Sequence, residues 1–208
     1  MKERTTIQSS EFMSTDLPNQ ALYVGRDLAW LDFNGRVMAQ AEDQSRPLFD
    51  RIRFLGICES NLDEFFMKRT ALLRRRIEMG LEKPTHDGRS VRQQLSDSRD
   101  KVKTLVERQR RVWTEDLLPG LIREGIRVMS INDLPRRHQD RVDDWFHRHV
   151  FPLLTPLAVD PGHPFPFISN LSRNFGLLLL DPDEDTPRFA RVKIPDAVPS
   201  WIRVPVHG

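Results

Sequence analysis

The stretch Glu59-Ser-Asn-Leu-Asp-Glu-Phe-Phe66 is the first in this chain whose residue types could do chemistry. Read locally it is a helix start, with Asn61 as N-cap and Glu64 three residues on to close a capping box. Such a cap contributes about 1 kcal/mol. The same geometry has a functional use. A helix N-terminus offers unpaired N–H groups and a positive dipole end, and a carboxamide carries both donor and acceptor. A nucleotide base edge suits that combination, whereas Asp63 and Glu64 would repel a phosphate placed there.

A block of positive charge is the second candidate. Residues 68–111 hold fourteen Lys or Arg against six Asp or Glu, a local +8, so the remainder of the chain carries −6 of the net +2. Arg74, Arg75, Arg76, Arg108, Arg110 and Arg111 are its densest positions. Such a block reads either as the solvated face of helices or as a polyanion site driven by counterion release. Base stacking does not fit it, because residues 68–111 contain no Phe, Trp or Tyr. The six histidines form no ligand set. His147 and His149 are two apart and point to different helix faces, and His163 sits in a proline-rich loop. No GxxxxGK[ST] loop, GxSxG elbow or HExxH pair occurs, so no catalytic constellation and no metal site is read from the residues.

The elements that must position these groups follow from periodicity. Leu28, Leu31, Phe33, Val37, Met38 and Ala41 predict a helix from Arg26. A second helix starts near Pro47 and carries Leu48, Phe49, Ile52, Leu55 and Cys58. Glu59-Ser-Asn61 interrupts it, and a third helix with Leu62, Phe65, Phe66, Arg69, Leu72, Leu73 and Ile77 runs to Gly80. Ser90 opens a long fourth helix that Pro119-Gly120 stops. Residues 62–118 therefore read as an antiparallel helical hairpin.

After Gly125 the pattern changes, and ten of the fifteen prolines lie beyond residue 150. Ile126–Ile131 reads as a short strand, and Asp133 as the cap of a helix with Val142, Trp145, Phe146 and Val150. Residues 174–180 and 188–194 flank a turn-rich loop and read as an antiparallel β-hairpin. In the second run Phe189, Arg191 and Lys193 alternate with Ala190, Val192 and Ile194, as in a half-buried strand. Met1 to about Asn19 reads as a disordered leader. The fold class is α+β: an all-helical N-terminal domain, then a partial α/β domain with a β-hairpin.

Composition bounds the rest. Two hundred and eight residues suffice for one domain or two small ones with a real core. No run of about 18 apolar residues exists to span a membrane. The first fifteen residues lack a secretory core, which predicts a cytoplasmic protein, peripheral membrane contact being compatible. A single cysteine, Cys58, excludes an internal disulfide framework.

Three blocks then carry a resemblance. Arg26-Asp-Leu-Ala-Trp-Leu-Asp-Phe-Asn-Gly-Arg-Val37, Pro47-Leu-Phe-Asp-Arg-Ile-Arg-Phe-Leu-Gly-Ile57 and Ser60-Asn-Leu-Asp-Glu-Phe-Phe-Met-Lys-Arg69 resemble the start of the bacterial polyphosphate kinases of the phosphohistidine type. Thr155–Asn170 and Arg188–Pro195 resemble that family's next domain. The resemblance implies domains at residues 20–124 and 125–208, the latter being the opening of the family's head domain. It implies ATP and polyphosphate as substrates, magnesium without ligands in this chain, and a role for Asn61 in contacting the nucleotide. The family's phosphorylated histidine lies in C-terminal domains, and none of the histidines here matches it. The expected role is thus nucleotide contact and assembly, without catalysis by this chain alone. A homo-oligomer is compatible with this, and a partner chain carrying the C-terminal domains would complete the enzyme. The alternative from another class is a non-catalytic helical module that binds polyphosphate or nucleic acid. A third is a purely structural assembly piece.

Overall fold

A computed structural model describes residues 24–81, 83–160, 162–180 and 187–204. The leader over residues 1–19 and most of the hairpin loop lie outside them. Contacts divide the chain into two units, Met1–Gly120 and Leu121–Gly208. Among the described residues no helix is long and apolar enough to cross a membrane.

The first unit is helical. Helix α1 spans Arg26–Glu42. Its stripe is Leu31, Met38 and Ala41, each fully buried, but Asn34 takes the inward position expected of Phe33, which is 47% exposed. The reason is angular. At 100° per residue, position 34 lies nearly above position 31, while position 33 faces away.

Helix α2 runs over Leu48–Phe65, continues through a π-helical turn at Phe66–Thr70 and becomes α3 at Ala71–Glu78. The expected break at Glu59-Ser-Asn61 and the N-cap at Asn61 are therefore corrected: Asn61 lies inside α2. These polar residues interrupt the apolar pattern without breaking the backbone, because none of them is glycine or proline. Asn61 would compete with the helix only by bonding its own backbone, and its side chain bonds Asn34 instead.

Helix α4 covers Val91–Val112, followed by a π-helical turn at Trp113–Leu117 and helix α5 at Leu118–Arg123. Ser90 caps it as expected, in a capping box closed by Gln93. Val112 and Leu117 are both buried yet five residues apart, one too many for a regular turn. The wider turn absorbs the extra residue and returns Leu117 to the core. It also frees the backbone that Pro119 would otherwise crowd, so Pro119-Gly120 does not stop the helix. The stop comes at Gly125, with φ +76°, where the Ile126 and Gly125 amides donate to Leu121 and Ile122 carbonyls at 2.8 and 3.0 Å. Gly80, with φ +68°, ends α3 in the same way. Helix α1 packs on both α2 and α4, and α3 folds back on α4.

In the second unit, α6 spans Arg136–His149 and its N-cap is Pro135, not Asp133, which belongs to a 3₁₀ turn at Ile131–Asp133. The strand expected at Ile126–Ile131 does not form; no neighbour among the described residues offers it a ladder. A strand not expected does form: β1, Pro156–Val159. Proline is tolerated there because it is the first residue of an edge strand. With β2, Asn174–Leu179, and β3, Arg188–Lys193, it makes an antiparallel sheet of order β1-β3-β2. The antiparallel hairpin forms as read, and its register sets Leu177 opposite Ala190. Ala190 and Val192 are buried on β3, while Leu178 on the β2 edge is 72% exposed.

Apolar burial is thus concentrated in the helical unit, and the second unit leaves Phe167 89% and Trp201 72% exposed. Regions with few buried contacts open first. Limited proteolysis followed by mass spectrometry is expected to cut within residues 121–208 before the helical unit. Preferential survival of the C-terminal portion contradicts that distribution.

Candidate functional site

The helical unit holds a polar cluster where α1 crosses α2. Asn34, with no exposed surface, donates from Nδ2 to the Cys58 carbonyl at 3.0 Å. Its Oδ1 accepts from Asn61 Nδ2 at 2.9 Å. The Cys58 thiol points back at the Asn34 carbonyl, 3.9 Å away. Burial pushes the Cys58 thiol up to about 11 from an ordinary 9.0, with the Glu59 charge adding to the effect. Asn61 is half-buried.

Glu64, Phe65 and Lys68 follow Asn61 on the same side of the helix at steps of three, four and seven. Together with Arg69 they face Arg26, Asp27 and Trp30 of α1 across a cleft of about 240 Å³. Trp30 stacks on Phe65 with ring centroids 5.4 Å apart. Arg69 Nε lies 2.6 Å from a carboxylate oxygen of the buried Asp27. Glu64 pairs with Lys68, not with a helix N-terminus as a capping box would require.

Asn61 thus loses the helix-end half of its expected chemistry. Its backbone N–H is spent inside α2, and no dipole end lies there. What remains is the carboxamide. Periodicity missed Asn34, Asp27 and Arg51 as buried residues, although each is in phase with an apolar stripe. A polar residue recurring on the core phase was the available signal.

The six arginines do not form one patch. Arg51 reaches Asp116 and Gln109 reaches Glu59, which sets α2 and α4 antiparallel. Arg74–Arg76 then lie near the Gly80–Ser90 turn, and Arg108–Arg111 roughly 20–25 Å further along the hairpin. Arg108 is withdrawn from solvent into a fork on Glu42 of α1, Nε to Oε1 at 3.0 Å and Nη2 to Oε2 at 2.6 Å. That pairing holds its guanidinium above the ordinary arginine range. Arg76 bonds the Lys83 carbonyl at 3.1 Å. Arg74, Arg75, Arg110 and Arg111 are exposed, with Arg110 bordering a shallow apolar groove that includes Ile52, Leu55 and Trp113. Arg69 and Lys101 also pair across helices, with Asp27 and Asp32. Three basic residues of the +8 block, Arg69, Lys101 and Arg108, are therefore interhelical ties.

Among the described residues no three His, Cys, Asp or Glu side chains come together as a cation site. The residues present do not fit a magnesium centre. His138 is buried, and the exposed His163 pairs with Asp160 at 3.1 Å, which holds that carboxyl below its usual range.

Comparison with known proteins decides what this arrangement belongs to. Residues 23–129 match the model of the polyphosphate kinase N-terminal domain, and residues 137–208 that of the polyphosphate kinase middle domain. The chain belongs to the polyphosphate kinase family. Polyphosphate kinase of Mycobacterium tuberculosis H37Rv is 46% identical over 192 residues, covering 92% of this chain and 26% of its own length. That of Mycolicibacterium gilvum is 45% identical over 186 residues, 89% and 26% of the two chains. The crystal structure of polyphosphate kinase from Porphyromonas gingivalis superposes with a TM-score of 0.65 at 28% identity, over 86% of this chain and 26% of that one. The chain thus spans about a quarter of these relatives.

Two consequences of the geometry can be measured. Arg108→Gln is expected to lower unfolding stability by roughly 1 kcal/mol, because Glu42 loses its forked partner. Arg110→Gln and Arg111→Gln should leave it unchanged; equal effects in denaturant titrations would contradict the internal pairing. The raised Cys58 pKa means that the folded chain holds the thiol proton more tightly than the unfolded one. Its contribution is intact below about pH 9 and is lost as pH rises toward 11. Cys58→Ser should therefore flatten the fall of Tm between pH 9 and 11, and an unchanged slope argues against a buried neutral thiol.

Proposed function

We propose that this chain is the nucleotide-contacting front of a polyphosphate kinase, the enzyme that moves the terminal phosphate of ATP reversibly onto polyphosphate. Asn61 meets the adenine edge, and the chain by itself binds ATP without transferring phosphate. One observation carries the reading: the half-buried Asn61 stands in the family's Asn-Leu-Asp-Glu-Phe segment, inside a helix and with its amide held by Asn34. A carboxamide there can accept from an exocyclic amine and donate to a ring nitrogen. Phosphoryl transfer needs a nucleophile and a positively charged clamp on the transferred group. No histidine lies on α1 or α2. Magnesium enters no step assigned to these residues.

The same reading includes a cytoplasmic setting and either self-association or a partner chain that supplies the transfer chemistry. The exposed apolar residues Phe175, Leu177, Leu178 and Leu179 on β2 support such an assembly. The polyanion alternative rests on Arg74, Arg75, Arg110 and Arg111 alone, in two separated pairs.

The test is direct. The purified 208-residue chain should bind ATP in calorimetry yet make no polyphosphate from it. Asn61→Ala should weaken binding about tenfold, as expected for the loss of one or two hydrogen bonds. Robust polyphosphate synthesis, or ATP affinity indifferent to Asn61, would overturn the reading.

A further inference from the structure

A carboxamide is an ambivalent reader of purines. Adenine offers an N6–H donor beside an N1 acceptor, and guanine offers the O6 acceptor beside an N1–H donor. One asparagine can match either, simply by turning its amide through 180°. An unrestrained Asn61 would therefore contact both bases and distinguish neither.

The structure removes that freedom. The Cys58 carbonyl can only accept, so the Asn34 atom 3.0 Å from it must be the Nδ2 donor. Asn34 Oδ1 is then the atom turned toward Asn61, and it too can only accept. Asn61 must answer with Nδ2. The orientation of both amides follows from one main-chain oxygen, and Asn34 cannot turn because it has no exposed surface and is packed among core residues. Asn61 spends one Nδ2 proton on Asn34, which leaves its Oδ1 and the second proton as the pair a base edge requires.

We infer that Asn34 is a positioning residue that locks the Asn61 amide in one orientation and so sets the purine preference of the site. The inference rests on Asn61 being the nucleotide contact proposed above. Asn34 does not touch the nucleotide; it acts through Asn61. The chemistry it selects is a purine with an exocyclic amine donor beside a ring acceptor, that is, an adenine rather than a guanine nucleotide.

Affinities of the 208-residue chain for ATP and GTP, measured side by side, test this. The unsubstituted chain should prefer ATP. Asn34→Ala should reduce the ATP-over-GTP ratio about tenfold, toward the value of Asn61→Ala, the loss expected when a bidentate contact stops discriminating. Asn34→Asp separates positioning from stability. Its carboxylate, buried against the Cys58 carbonyl oxygen, sets two acceptors face to face, so it should lower Tm more than Asn34→Ala. It still accepts from Asn61 Nδ2 and should keep the preference. An Asn34→Ala chain that retains the ratio while Asn61→Ala loses it overturns the role of Asn34 and leaves Asn61 as the contact. An Asn61→Ala chain that binds ATP normally, or an unsubstituted chain that binds no adenine nucleotide, overturns both. One measurement needs no variant: of the two Asn61 side-chain amide protons, the one facing Asn34 should exchange slowly with solvent. Fast exchange of both contradicts the lock, whatever the variants do.

Discussion

A fully buried amide must find hydrogen-bond partners, and the way Asn34 finds them organises the helical unit. Its donor goes to a carbonyl inside α2 and its acceptor to a side chain one turn further along the same helix. Leaving either atom unmet would cost roughly 1–3 kcal/mol, so α1 and α2 are held to a single crossing and a single register. An apolar residue at position 34 would tolerate sliding between the helices. The amide does not, and the cleft between Trp30 and Phe65 depends on that register.

Charge performs a related task. Acidic residues of α1 and α2 meet basic or amide residues across the unit: Asp27 with Arg69, Asp32 with Lys101, Glu42 with Arg108, Glu59 with Gln109. These contacts join helices that are far apart in sequence, and several are half-buried, where screening by salt is weak. A block of positive charge can thus be, in part, the visible half of an internal pairing whose other half lies forty or more residues away. The two π-helical turns serve the same packing. Each takes up one residue that the apolar spacing leaves over, so that Leu73 and Leu117 come back to the core. The first of them also carries Arg69 to Asp27 at the cleft.

The second unit has a different economy. Its sheet buries one face of the central strand at Ala190 and Val192 and leaves Phe175, Leu178 and Leu179 of an edge strand exposed. Membership of the polyphosphate kinase family, with the chain spanning 26% of relatives such as the Mycobacterium tuberculosis enzyme, gives that exposed face a context. In the function proposed above, the helical unit with its one oriented carboxamide takes the nucleotide-contacting part.

Several features were determined by the sequence alone, because they depend on neighbours within a few residues. Helix starts at Arg26 and Ser90, the stop at Gly80, the β-hairpin and the alternation on β3 are of this kind: caps, positive-φ glycine and period-two patterning are local physics. Tertiary structure alone decided the rest. Whether Glu59-Ser-Asn61 breaks a helix or sits within one turned on a partner 27 residues upstream. Whether Arg108 faces solvent turned on Glu42, 66 residues away. Pro156 could head a strand only because β3 lay beside it, and Ile126–Ile131 could not become one without such a neighbour. In each case a polar or backbone group had two ways to satisfy its hydrogen bonds, and only packing chose between them.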